Sequence, residues 1–105
     1  MSSNNQAIEK QREVIALYIK LNDQDPRFSH MKDVAWANYF LAKYLFKDRK
    51  QAEGMTSLEN GLHVIRNCAT KYPEHPKAES EFRRFTEAYS GWLKYLENDD
   101  IPTTD

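Results

Sequence analysis

Apolar residues recur at intervals of three and four in four successive stretches of this chain, the spacing of amphipathic α-helices. In the first, about Asn5 to Asn22, Ile8, Ile15, Ile19 and Asn22 lie on one line, flanked by Gln11, Val14, Tyr18 and Leu21. Asn4 or Asn5 can cap it through a side-chain oxygen. Asp23-Gln24-Asp25-Pro26 ends it, because proline disfavours helical geometry in the residue before it. The second stretch, from about Arg27 or Ser29 to Phe46, is apolar nearly all round beyond Val34. Such a helix is either central in a fold or leaves an adhesive face. In the third, about Gln51 to Thr70, Met55, Leu58, Leu62, Ile65 and Ala69 form a stripe. Gly61 beside that stripe predicts close approach of another helix, and Gly54 reads as part of a loose first turn. The fourth, about Pro76 to Glu97, has the most regular stripe: Ala78, Phe82, Phe85, Tyr89, Trp92 and Leu96. Pro76 suits its first turn, and Glu79 and Glu81 suit a positive helix N-terminus.

The first pair of stretches is echoed by the second about 50 residues later. Val14-Ile15 recurs as Val64-Ile65, Asp25-Pro26 as His75-Pro76, and Tyr39 as Tyr89. No stretch alternates with period two for long enough to make a strand. The expected fold is therefore all-α: four antiparallel helices as two helical hairpins, either a bundle or a repeat-like stack. At this length one domain, 1–105, is expected, with an ordered core over about 5–97 and a polar tail over 98–105. Leu62, Ile65, Phe82, Phe85 and Trp92 should be nearly buried.

Two stretches resemble a known family. Ala69-Thr70-Lys71-Tyr72-Pro73-Glu74-His75-Pro76-Lys77-Ala78 looks like the junction between tetratricopeptide repeats, where a helix ends in a proline turn and the next opens. Leu17 to Pro26 looks like a fainter copy, and Trp36 to Lys50 suits a repeat's first helix and turn. The resemblance implies stacked antiparallel helix pairs and the binding of a peptide or protein. The spacing departs from that family, whose repeat is about 34 residues, and Trp36 is followed by Tyr39 and Phe40 rather than by the family's Leu-Gly pair.

Composition narrows the function further. Fifteen basic and sixteen acidic residues leave a net charge of −1, so no global field draws the chain to nucleic acid or to an anionic membrane. No apolar run approaches the ~20 residues of a membrane span, and the polar N-terminus lacks a signal-peptide core. The lone cysteine, Cys68, lies within a helical pattern and reads as a buried small hydrophobe. A single thiol fits a reducing compartment, and a cytoplasmic location is expected. Glu59 with His63, and His75 with Glu79, each offer two metal ligands where zinc needs three or four. Phosphate loops, nucleophile elbows and dinucleotide fingerprints are absent. Neither an enzyme nor a cofactor or metal protein is expected.

The second stretch has more apolar surface than four helices need. Val34, Ala37, Leu41, Tyr44 and Leu45 suit the core, leaving Trp36, Tyr39, Phe40 and Lys43 on an adjacent face beside the turn Lys47-Asp48-Arg49-Lys50. Aromatic residues and Arg dominate interface hot spots. Trp36, Tyr39, Phe40, Lys43, Arg49 and Lys50 are the expected contacts for another protein or a second copy of the chain. The expected function is a small non-enzymatic interaction module: an adaptor, a chaperone-like subunit or an inhibitor of a larger machine. The alternative is a nucleic-acid-associated regulator using the basic Lys43–Lys50 region.

Overall fold

The computed structural model describes residues 3–98. The expected tail therefore lies, apart from Asn98, outside the described residues. Among the described residues, four α-helices follow in order: α1 (Ser3–Gln24), α2 (Phe28–Lys47), α3 (Gln51–Lys71) and α4 (Ala78–Glu97). Asn4 and Asn5 fall inside α1 rather than capping it. Short connections make consecutive helices antiparallel.

α2 is the central helix: it packs against α1, α3 and α4, most extensively against α3. The tightest pairing thus joins the two hairpins rather than lying within either. α1 and α4 do not approach each other, and neither do the backbones of α1 and α3.

Small residues explain the close α2–α3 fit. Ala35 and Ala42 of α2 are fully buried, as is Leu58 of α3. A Cβ on Gly61 would stand 2.6 Å from Phe85 Cζ and 2.9 Å from the Ala35 carbonyl oxygen. The expected close approach is thus made by a backbone of α2 and a ring of α4. Gly54 is not in a loose turn: a Cβ there would stand 2.5 Å from the Phe46 ring. The buried line of α3 runs Gly54, Leu58, Gly61, Ile65, Cys68. Met55, Leu62 and Ala69 flank it half-buried, one position off the expected stripe.

From α4, Phe85 and Trp92 complete this core, with the Trp92 ring stacked 4.8 Å from Phe46. Phe82, expected to be nearly buried, is half-buried. Pro76 lies before α4 rather than in its first turn. The Tyr72 carbonyl accepts from the His75 amide and the His75 carbonyl from the Ala78 amide, each at 3.1 Å. Pro73 and Pro76 therefore occupy the second position of two consecutive turns, where a fixed φ is favourable. His75 stacks on Phe28 at 3.8 Å, fastening this linker to the start of α2. Two smaller clusters extend the core: Ile8 with Leu41 and Leu45 between α1 and α2, and Phe28 with Cys68 and Ala78.

Candidate protein-binding face

Because, among the described residues, the backbone of α1 approaches that of α2 alone, troughs open along both sides of α1. The first, between α1 and α3, has a volume of about 480 Å³. Its floor holds Asn38, Leu41 and Leu45, and Arg12 reaches Glu53 across it at 3.4 Å. Both of those side chains are about half exposed, so the pair adds little stability.

The second side lies between α1 and α4 and exposes α2 around Trp36 and Phe40. A groove of about 270 Å³ runs past Val14 and Tyr18 of α1 and Asp33, Trp36 and Phe40 of α2. A neighbouring one of about 280 Å³ runs past Lys32, Asp33, Glu81 and Arg84. On α1, Val14, Leu17, Tyr18 and Leu21 share the bordering face at helical spacing. Leu17 is 65% exposed and Leu21 42%.

The residues expected to meet a partner are divided by this arrangement. Trp36 and Tyr39 are half-buried and turn towards α4. Their rings lie 5.0 and 5.8 Å from Phe85. Trp36 Nε1 donates to Glu81 Oε1 at 2.9 Å, and the Tyr39 hydroxyl accepts from Trp92 Nε1 at 3.2 Å. Phe40 keeps an outward ring, 44% exposed. The Lys43 ammonium sits 5.7 Å from the Phe40 ring and 6.0 Å from that of Tyr39, within cation–π range. Lys50 pairs with Asp48 at 3.5 Å.

Arg49 is exposed and stands at φ 63°. Its amide donates to Phe46 O and that of Lys50 to Leu45 O, the bonds of a Schellman helix end. Glycine usually fills this left-handed position, and arginine there costs about 1–2 kcal/mol.

Glu81, read from the sequence as suiting the positive N-terminus of α4, is also buried against α2. It is 9% exposed, with Oε1 taken by Trp36 and Oε2 by Arg84 at 3.1 Å. The Arg84 guanidinium lies 5.3 Å from the centre of the Trp36 ring. One carboxylate and one guanidinium therefore fix the indole at its edge and its face. The spacing of Glu81 and Arg84 on α4 signals an ion pair, but nothing in the chain pairs either with Trp36, 45 residues earlier.

The three histidines have ordinary structural partners. His30 Nδ1 donates to the Asp25 carbonyl at 2.8 Å, fastening the α1–α2 turn. The Asn67 amide donates to His63 Nε2, and the Lys77 amide to His75 Nδ1. Among the described residues, no three His, Cys, Asp or Glu side chains converge as metal ligands would. Cys68 is fully buried, its Sγ 3.8 Å from the Phe28 carbonyl. Burial pushes its thiol up to about 11, with Lys32 opposing and Glu81 reinforcing that shift. Among the described residues, no helix is long and apolar enough to cross a membrane. No family model, curated protein or solved structure matches this chain.

Proposed function

We propose that the chain is a small non-enzymatic protein-interaction module, acting as an adaptor, chaperone-like subunit or inhibitor, and that it docks its partner on the face shared by α1 and Phe40. One observation carries this reading. Leu17, Tyr18 and Leu21 stand exposed on one side of α1, and Tyr18 lines the same groove as Phe40. Isolated exposed apolar residues are normal, whereas a contiguous apolar surface rimmed by charge marks a binding site. Asp33, Lys43 and Arg84 supply that rim. Trp36, wedged between Glu81 and Arg84, gives the face a rigid floor, which lowers the ordering cost of binding.

The test is a photo-crosslinking amino acid placed at Phe40 and, as a control, at Glu59 on the exposed side of α3, in an extract of the source cells. The expected result is a discrete heavier product from position 40, none from position 59, and loss of that product on adding the Leu17→Asp substitution. Equal labelling from both positions, or a product indifferent to Leu17→Asp, would place the interface elsewhere.

A further inference from the structure

We infer that the occupant of this face is a second copy of the chain, docked antiparallel along α1 about a two-fold axis passing between Leu17 and Tyr18. The inference rests on the docking face proposed above and names its partner. A two-fold interface must be self-complementary, since each residue meets in the partner copy what that copy's equivalent meets in return. α1 satisfies this condition in one register. With the axis between residues 17 and 18, Leu17 faces Tyr18 of the second copy, Val14 faces Leu21, and Lys10 faces Asp25.

The first two pairings bring together three of the four large apolar residues that α1 leaves exposed, Leu17, Tyr18 and Leu21, with half-buried Val14; Ile19 borders the opposite trough. The third brings together opposite charges at both ends of the contact. Lys10 makes no ion pair among the described residues. Asp25 is half-buried and pairs with Arg27 through Oδ2 at 2.6 Å, so Lys10 of the second copy joins an existing ion pair; the Asp25 amide bonds back to Leu21, which holds the residue in line with the same helix face. No like charges oppose each other in this register, and the net charge of −1 leaves little repulsion between copies. The register also brings Leu21 of the second copy level with Val14, whose groove contains Phe40. The same contact therefore covers the exposed ring on α2. It leaves the trough between α1 and α3 open, because that trough lies on the opposite side of α1.

The axis makes the arrangement testable by single cysteines, since native Cys68 is fully buried. Leu17→Cys places two thiols across the axis. Leu21→Cys places them about 10 Å apart along the helices, too far for a disulfide. The full chain is measured by sedimentation from about 1 to about 500 µM, because a dimer depends on protomer concentration. The expected mass rises towards twice 12.4 kDa. Oxidised Leu17→Cys should give a covalent dimer, Leu21→Cys alone should not, and a mixture of Val14→Cys with Leu21→Cys should. Leu17→Asp, which alters both halves of the contact, should weaken dimerisation by at least about tenfold.

A chain that stays at 12.4 kDa throughout overturns the inference, as does a dimer that crosslinks equally through Leu17→Cys and Leu21→Cys. The two readings separate cleanly. If the chain is monomeric but Leu17→Asp still abolishes the Phe40 crosslink to a different protein, the docking face stands and the second copy falls. If the chain is monomeric and position 40 yields no crosslink, both fall.

Discussion

α1 and α3 are nearly equal in length, 22 and 21 residues, and both lie antiparallel on α2. They end in opposite states. α3 has a helix on each side, and its buried residues include two glycines, a serine and a cysteine. α1 carries more large apolar residues, yet it has α2 alone as a neighbour. Among the described residues, seven large hydrophobics are exposed. Four of them, Leu17, Tyr18, Ile19 and Leu21, are on α1 and none is on α3. Burial here follows the number of neighbouring helices rather than apolar content. A helix with a strong apolar stripe and one neighbour has surface left for another chain; a helix with two neighbours needs small residues to admit them.

The contrast is broken most directly at Phe85. Its ring fills the space that Gly61 leaves and touches Trp36 and Tyr39, so it joins three helices. Phe85→Ala should cost about 3–5 kcal/mol, a large share of the stability of a domain this size. A urea titration measures it. A loss below about 1 kcal/mol would show that the α3 side is no better packed than the α1 side.

Cys68, the last residue on the buried line of α3, sharpens the comparison through pH. Burial favours the neutral thiol and raises its pKa from 9.0 to about 11 in the folded chain. Below pH 9 the folded and unfolded states both hold the proton, and the contribution is fully present. As pH rises towards 11 the unfolded chain releases its proton first, so stability is lost through that window. The loss should be on the order of 2–3 kcal/mol relative to a Cys68→Ala variant, which removes this titration and keeps every other. Parallel pH profiles for the two proteins would mean that the thiol is reached by water.

The glycines give both signs of one substitution. Gly61→Ala should cost about 1–3 kcal/mol, because the Ala35 carbonyl cannot move aside. Gly91, in α4, has nothing within 4 Å of the position a Cβ would take. Gly91→Ala should therefore gain about 0.5–1 kcal/mol from helix propensity alone. Thermal melts of the two variants should shift in opposite directions, and a shared sign would break the packing argument.

These positions also show what could be read beforehand. The four helices and the core residues Ile65, Phe85 and Trp92 were legible, because period and aromatic content are local properties. Gly61 could be read because it sits beside a stripe. Gly54 could not, since its reason is the Phe46 ring across a turn. The excess apolar surface was expected on α2, where the run is densest. A central position absorbs most of it there, so that Val34, Ala37, Leu41 and Leu45 are buried and Phe40 remains. The larger excess is on α1, where Ile19 was placed on the core line and is 44% exposed. Which helix lacks a neighbour is a property of topology, and periodicity within one helix does not contain it. The pairing of Trp36 with Glu81 was hidden for the same reason.

The smallest expected effect is the one that separates a binding face from a core. Leu17→Asp introduces a charge into an apolar stripe, and in a packed helix such a change would cost several kcal/mol through burial of an unpaired carboxylate. Leu17 is 65% exposed and lines no part of the core clusters. Its replacement should change the stability of the monomer by no more than about 0.5 kcal/mol. The measurement belongs at low micromolar concentration, where any linked assembly contributes least to the apparent stability. The result to watch for is a variant that melts like the parent yet no longer self-associates. Such a variant would show that the apolar residues of α1 act between chains. A loss above about 2 kcal/mol would instead place Leu17 in the core and remove the difference between α1 and α3 on which the binding face rests.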